Sequence, residues 1–198
     1  MEHAISVSIS GSASAKGVLS NEKLLTQKTW EVLCFTTEQH INNQISSEWS
    51  KIHLISGGAA WCDHVAVFLY LKHPESKLTL HFPCKWDTNK KQFIDNGLYH
   101  WAKNPGRTAN SYHLSFQKKI RENTLEQIHD AIGRGAIVCD HYKGFHDRNL
   151  VVGQSQHLIA FSFSAGDIPS DGGTLHTWKQ SKSLNKTYYS ISSLCQEI

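Results

Sequence analysis

The chain has 198 residues, of which 39% are hydrophobic, 10% aromatic and 19% charged, and its formal net charge is +3. This length predicts a single domain, residues 1–198, with one sizeable core. No apolar run approaches the roughly 20 residues that a membrane helix needs, and the N-terminus lacks the pattern of a signal peptide. We therefore expect a globular cytoplasmic protein with no membrane partner.

The first half of the chain alternates between strand-like and helix-like segments. In chain order we predict a strand, a helix, a strand, a helix and a strand at residues 4–10, 21–45, 52–55, 59–71 and 78–82. The second helix is apolar on nearly every side, as a helix packed between a sheet and its neighbours would be. Residues 84–109 show neither period, and we expect an irregular insert there with a functional or mobile role.

The second half continues the alternation. In chain order we predict a helix, a strand, a helix, a strand, a short helix and a strand at residues 112–132, 136–139, 146–155, 158–163, from 172 onwards, and 188–191. Strands that alternate with helices predict a parallel sheet. The expected fold class is α/β: a Rossmann-like, open, doubly wound and mostly parallel sheet of about six strands with helices on both faces.

The five cysteines show no spacing typical of a disulfide framework, which favours a reducing compartment. Short Cys/His pairs occur at Cys62/His64, at His81/Cys84 and at Cys139/His141. None has the spacing of a zinc motif. We therefore expect neither a metal ion nor another cofactor.

Glycines follow three of the predicted strands. They lie in the turns Gly11-Ser12, Gly57-Gly58 and Gly172-Gly173-Thr174. In a parallel sheet the carboxyl ends of the strands share one edge, where helix N-termini point backbone N–H groups at ligands. The three turns together predict a site for a phosphate-bearing ligand, although glycine at a single strand end is routine.

None of these turns carries a known nucleotide or hydrolase fingerprint. The sequence has no G-x-G-x-x-G, no G-x-x-x-x-G-K-[ST] and no G-x-S-x-G motif. Ordinary NAD dehydrogenases, P-loop kinases and α/β hydrolases are therefore excluded.

Four segments resemble the SLOG superfamily in content and order. They are ISGSAS (9–14), ISGGAAWCDHVAV (55–67), FHDRNLVVGQSQHLIAF (145–161) and DGGTLHTW (171–178). That superfamily joins the DNA-processing protein DprA/Smf to the Lonely Guy phosphoribohydrolases, and the nearest branch resembles the YAcAr-type proteins. The resemblance covers about residues 4–192. It implies a Rossmann-like sheet that binds a nucleotide or nucleotide-derived ligand above the strand ends.

The resemblance also implies roles for individual residues. It places Gly57 and Gly58 in the floor of the site, Asp63 on the helix that follows, and Arg148 in contact with the ligand. It also places Gly172, Gly173 and Thr174 around the phosphate. Further candidate site residues in the same four segments are Gly11, Ser12, Asn149 and Asp171. Two alternatives stay open: Arg148 could form a surface ion pair with Asp147 or Asp140, and Asp63 could stabilise a helix N-terminus.

The sequence departs from the superfamily at the position expected for catalysis. Lonely Guy enzymes follow Gly-Thr-Leu with glutamates, whereas here Leu175 is followed by His176. The expected acid or base is then missing, unless Asp171 or Asp167 replaces it. We therefore expect a protein that binds ADP-ribose, NAD or a mononucleotide, as a sensor, with a Lonely Guy-like N-glycosidase acting on nucleoside monophosphates as the alternative.

The segment from Lys85 to Arg121 is basic and aromatic, with eight basic residues against two acidic ones. Within it, NPGRTANSYH (104–113) contains Arg107 and Asn110. These two residues could belong to a lid over the ligand, with Trp86 or Trp101 stacking on the base, or an asparagine there could cap a helix. The segment also leaves single-stranded nucleic-acid binding as a second alternative, although nucleic acid is not the expected partner, and a homodimer is left open.

Overall fold

The computed structural model describes residues 4–15, 18–170 and 172–196. Within these residues eight strands occur in chain order: β1 (Ile5–Gly11), β2 (Ile52–Ser56), β3 (Lys77–His81), β4 (Trp86–Asp87), β5 (Gln92–Phe93), β6 (Ile137–Cys139), β7 (His157–Ser162) and β8 (Asn185–Ser190). The α-helices of the same residues are α1 (Leu19–Leu24), α2 (Gln27–His40), α3 (Val65–Lys72), α4 (Pro105–Ile120), α5 (Thr124–Gly133), α6 (Phe145–Val152), α7 (Gly172–Gln180) and α8 (Ile191–Leu194).

Six of the strands form one wholly parallel sheet in the order β6-β3-β2-β1-β7-β8. In its centre, Val7 of β1 lies opposite Leu54 of β2 on one side and His157 of β7 on the other. The strand order runs from β1 outwards to β6 and then returns to β7 and β8. The direction therefore switches between β1 and β7, which is where open α/β sheets form a ligand crevice.

Helices cover both faces of this sheet. On one face α3 packs against α2 and α5 and lies on β2 and β3. On the other face α7 packs against α6 and lies on β1 and β7. Because parallel crossovers are right-handed, the connections towards β6 and the connections back towards β8 place their helices on opposite faces. The predicted fold class is therefore confirmed, as a Rossmann-like sheet of six parallel strands.

Strand β1 lies at the centre of the core. Val7 and Ile9 have no exposed surface, and the alternate residues Ser8 and Ser10 are buried on the other face. The hydroxyl of Ser8 donates a hydrogen bond to the backbone carbonyl of Val152 in α6. A parallel strand between two helical layers is buried in this way on both faces.

The single helix predicted for residues 112–132 is wrong, because two helices occupy this part of the chain. Helix α4 ends where Arg121 adopts a left-handed backbone conformation with φ of 59°. Helix α5 then begins after Asn123, whose side chain accepts a hydrogen bond from the backbone N–H of Glu126. The four-residue spacing of the side chains continues across this break, so the spacing alone does not reveal the turn.

The predicted irregular insert, residues 84–109, contains regular structure. Strands β4 and β5 pair as a short antiparallel hairpin. Helix α4 begins at Pro105, and the side chain of Asn104 caps it by accepting a hydrogen bond from the backbone N–H of Arg107 at 3.1 Å. Proline in the first helical position is favourable because its missing N–H would have no partner there.

The predicted helix at residues 21–45 is also divided. Thr26 separates α1 from α2 and caps α2 by accepting a hydrogen bond from the backbone N–H of Thr29. A turn of π-helix, Ile41–Ile45, then extends α2. In the described part of the chain, no helix combines the length and the apolar character that crossing a membrane requires.

We predict that Arg121→Gly stabilises the protein by about 0.5–1 kcal/mol, because glycine adopts a positive φ without the steric cost that arginine incurs. Urea unfolding would measure this change in the free energy of unfolding. Arg121→Ala removes the same charge but keeps a Cβ atom, so it should give no gain. Equal stability of the two variants would contradict the prediction.

Candidate functional site

A cavity of about 520 Å³ opens above the carboxyl ends of the central strands. Three backbone segments line it: residues 10–14 at the end of β1, residues 57–60 after β2, and residues 172–174 at the start of α7. Gly58 and Gly173 therefore face the same space. The cavity lies at the switch in strand direction, and its volume is typical of small-molecule sites.

The lining of the cavity divides by chemistry into two groups of residues, called here the polar wall and the aromatic wall. One consists of the glycine-rich backbone segments together with Asp63, Arg148 and Asn149. The other consists of apolar and aromatic side chains: Pro83, Phe93, Trp101, Ala109, Tyr112 and Phe145. Such a division suits a ligand with a polar, hydrogen-bonding end and a flat apolar end.

An ion pair between Asp63 and Arg148 lies beneath the polar wall. Nη1 of Arg148 lies 3.1 Å from Oδ2 of Asp63, and the backbone N–H of Gly11 donates to Oδ1 at 3.0 Å. The two residues are 2% and 4% exposed. Arg148 thus pairs with Asp63, and not with Asp147 or Asp140, and the pair joins the end of β1 to α6.

Burial acts on both members of this pair. It raises the pKa of Asp63, and the charge of Arg148 and the N–H of Gly11 oppose that rise. It lowers the pKa of Arg148, and Asp63 opposes that fall. Each group therefore depends on the other to remain charged in the interior.

The guanidinium of Arg148 has more donors than acceptors. Of its five N–H groups, one bonds to Asp63, and the described residues supply no other acceptor. Its Nε atom is buried without a hydrogen-bond partner. Arg148 lines the cavity, so the N–H groups of its guanidinium that reach this space can donate to an oxygen-rich ligand.

Two glycines make room for this arrangement. A Cβ atom at Gly57 would overlap Nη1 of Arg148. A Cβ atom at Gly58 would overlap the ring of Phe82, and Gly58 has φ of 65°, which favours glycine. These turns therefore need glycine for close packing, independently of any ligand.

Two buried histidines brace the floor from below. Nε2 of His113 donates to the carbonyl of Gly58 at 3.0 Å, and Nδ1 accepts from the hydroxyl of Thr124 at 2.8 Å. The ring of His64 lies 5.5 Å from that of His113, and its Nε2 donates to Oε1 of Gln127 at 2.7 Å. Burial lowers the pKa of His113 to about 4 and that of His64 to about 3, so both rings are neutral at pH 7.

The start of α7 closes the polar wall. Gly172 and Gly173 are exposed and Thr174 is buried. The side-chain amide of Asn149 donates to the carbonyl of Gly173 at 3.4 Å, which links α6 to α7. Asp171 lies outside the described residues.

Ser12, also expected in the site, lines the cavity, and its backbone N–H donates to the carbonyl of Phe161 at 3.0 Å. Gly11 lines it too, beside Cys62 and the backbone of β7. The loop after β1 is thus held against β7, which fixes one side of the crevice.

Two of the expected site residues do not line the cavity. Nε of Arg107 lies 2.9 Å from Oδ2 of Asp95, and its guanidinium lies over the ring of Tyr99 at 4.5 Å. Asn110 forms two hydrogen bonds with the backbone of Phe93, at 3.0 and 2.8 Å. These two residues hold the insert in place, and Asn110 thereby positions an aromatic side chain of the wall.

Of the two tryptophans considered for stacking, Trp101 lines the cavity and Trp86 packs instead against Phe82 and Phe93. Phe145 and His146 also line the cavity, although they are not among the site residues predicted from the sequence. Their position just before Arg148 at the start of a helix was the available signal.

The Cys/His pairs do not build a metal centre in the structure. No group of three His, Cys, Asp or Glu side chains able to hold a metal ion occurs among residues 4–15, 18–170 and 172–196. Cys62, which lies beside Gly11 of the cavity lining, is fully buried, and burial raises the pKa of its thiol.

Comparison with known proteins finds a relative in Acanthamoeba polyphaga mimivirus, the uncharacterized protein R261. The two are 34% identical over 170 residues, which cover 85% of this chain and 87% of the viral one. The chain belongs to the family of this mimivirus protein. No family model matches the chain. No solved structure matches it.

We predict that Asp63→Asn destabilises the protein by about 3–5 kcal/mol, because it leaves the charge of Arg148 buried and unpaired. Urea unfolding would measure the loss. Asp130→Asn, at an exposed position of α5, is the matched control and should change stability by less than about 0.5 kcal/mol.

The double variant Asp63→Asn/Arg148→Met extends this test. It removes both charges and should recover part of the stability that Asp63→Asn loses. No recovery would contradict the view that the unpaired arginine causes the loss.

We predict that stability falls as the pH drops from about 6.5 towards 4. The unfolded chain protonates its histidines near pH 6.5, whereas folded His64 and His113 resist protonation down to about pH 3 and 4. Each of them should contribute a loss of about 1.4 kcal/mol per pH unit in this window. His113→Gln should reduce the slope of the free energy of unfolding against pH by that amount, whereas His100→Gln, at an exposed position, should leave it unchanged.

Proposed function

We propose that the chain binds a nucleotide or nucleotide-derived ligand, with ADP-ribose, NAD and mononucleotides as candidates, and acts as a sensor of it. The observation that carries this proposal is a cavity whose lining combines aromatic side chains with glycine-rich backbone and an under-satisfied, buried arginine. The phosphate would bind at the polar wall and the base at the aromatic wall.

Three features support phosphate binding at the polar wall. Helix α7 begins there, and the first N–H groups of a helix lack partners within it and carry a partial positive charge. Arg148 adds N–H donors that have no acceptor among the described residues. Gly172 and Gly173 have no side chains to obstruct a phosphate that approaches the backbone.

The aromatic wall supports binding of a base. The ring of Trp101 lies 6.3 Å from that of Phe145, with 27° between the planes, and both line the cavity. Trp101 is about half exposed, so part of its ring is accessible to a ligand. Stacking of a base on an aromatic side chain contributes about 1–3 kcal/mol.

The four segments that resemble the SLOG superfamily support membership of that superfamily. Although the first and the last of them are about 160 residues apart in the chain, all four contribute to the lining of this cavity. The remaining lining residues come from the loop after β3, from the insert and from α4. We therefore propose that the chain is a SLOG protein with its own insert over the ligand.

The carboxylates favour binding over cleavage. Asp63 is the acidic residue in the described lining, and both of its oxygens already accept hydrogen bonds. An N-glycosidase needs a carboxylate or another group that is free to act on the leaving base or on water. We therefore propose a binding protein, and hydrolysis becomes an outcome of the test below.

We predict that nucleotides stabilise the protein in a thermal-shift screen, in the order adenosine, AMP and then ADP or ADP-ribose as phosphates are added. A ligand at about 100 times its Kd should add roughly 2.7 kcal/mol of stability. Trp101→Ala should weaken binding about 5-fold or more in calorimetry. Tyr99→Ala, which removes an exposed ring of the same insert outside the cavity lining, is the matched control and should have little effect.

Chromatography of the same mixtures would detect released base. Free base from AMP would favour the N-glycosidase and contradict a binding-only role. Absence of any shift with the whole panel would contradict nucleotide binding itself.

A further inference from the structure

A second groove adjoins the cavity. Its volume is about 380 Å³, and it shares Ala13, Ser14 and Tyr112 with the cavity lining. The loop after β1 and the ring of Tyr112 thus form the boundary between the two spaces. The two spaces are therefore neighbours along the same surface.

The groove differs from the cavity in its chemistry. Its polar side chains include Glu22 of α1 and the hydroxyls of Ser111 and Ser115 of α4, and its apolar side chains are Leu25 and Trp61. No lysine or arginine of the described residues lines it. The groove therefore offers a negative charge and hydroxyl groups, where the cavity offers N–H donors.

The carboxylate of Glu22 is available to a ligand. It forms no side-chain hydrogen bond and no ion pair with any described residue, although it lies only partly exposed. Ser111 and Ser115 lie four residues apart, so both point from the same face of α4. Both serines are exposed.

Helix α4 provides a continuous wall for both spaces. Thr108 and Tyr112 face the cavity, and Ser111, Tyr112 and Ser115 face the groove. The rise from residue 108 to residue 115 is about 10 Å along the helix axis. Helix α4 is therefore long enough to line a ligand that has a further ring beyond the cavity.

We propose that this groove holds the second sugar of a nucleoside diphosphate–sugar, which makes that class, and not a mononucleotide, the ligand of the protein. The proposal rests on the nucleotide-binding function proposed above. A carboxylate repels a further phosphate but accepts hydrogen bonds from two neighbouring sugar hydroxyls, and serine hydroxyls both donate and accept. The diphosphate would lie at the polar wall of the cavity, and the sugar linked to it would pass Tyr112 into the groove.

Isothermal titration calorimetry with ADP and ADP-ribose tests the proposal. The wild-type protein should bind ADP-ribose about 10-fold or more tightly than ADP. Glu22→Gln keeps the shape of the side chain but removes its charge, and it should weaken ADP-ribose binding about 10-fold while leaving the Kd for ADP unchanged. Glu31→Gln, at an exposed position of α2 outside the groove, is the matched control and should change neither Kd.

The outcomes separate this proposal from the proposed function. Equal affinity for ADP and ADP-ribose, with no selective effect of Glu22→Gln, would overturn the second-sugar site and leave nucleotide binding in place. No binding of either compound, in calorimetry and in the thermal-shift screen, would overturn nucleotide binding and this proposal with it.

Discussion

The arrangement of the cavity depends on the buried ion pair between Asp63 and Arg148. Asp63 follows β2 and accepts the backbone N–H of Gly11 at the end of β1, while Arg148 approaches from α6 on the other face of the sheet. Two buried charges give little net stability, because desolvation opposes their attraction. Their effect is one of position: neither can move without leaving the other unpaired, so the loop after β1, the turn after β2 and the start of α6 are held together.

The insert is coupled to this centre through packed rings. Phe93 of the insert lies 4.9 Å from Phe82, which packs against Gly58, and 5.9 Å from His113, which donates to the Gly58 carbonyl. The aromatic wall and the glycine floor are therefore parts of one packed unit. A change in the conformation of the insert would therefore alter the packing around Gly58.

The sequence predicts those features that arise from local patterns, and misses those that arise from distant contacts. Apolar runs predict the six strands, and the glycines that follow three of them predict the edge of the sheet at which the cavity lies. The sequence offers Asp147 and Asp140 as nearby partners for Arg148, whereas its partner Asp63 lies 85 residues away. Likewise α4 ends at Arg121 in a left-handed conformation. The sequence does not predict this end, because glycine or asparagine, and not arginine, is typical of that conformation.

The pairing of Arg148 also determines how the cavity would discriminate between ligands. Arg148 is the single lysine or arginine in the described lining, and Asp63 already balances its charge. Because its net charge is close to zero, such a wall attracts anions weakly at long range. It binds them mainly through hydrogen bonds from N–H groups that point at the ligand. The two phosphates of a diphosphate bridge between sugars each carry one negative charge and several oxygens, whereas the terminal phosphate of a mononucleotide is a dianion at neutral pH. A nearly neutral wall rich in donors would therefore suit the bridging diphosphate of the proposed ligand, and the negative groove beside it would suit the proposed sugar better than a further charged group.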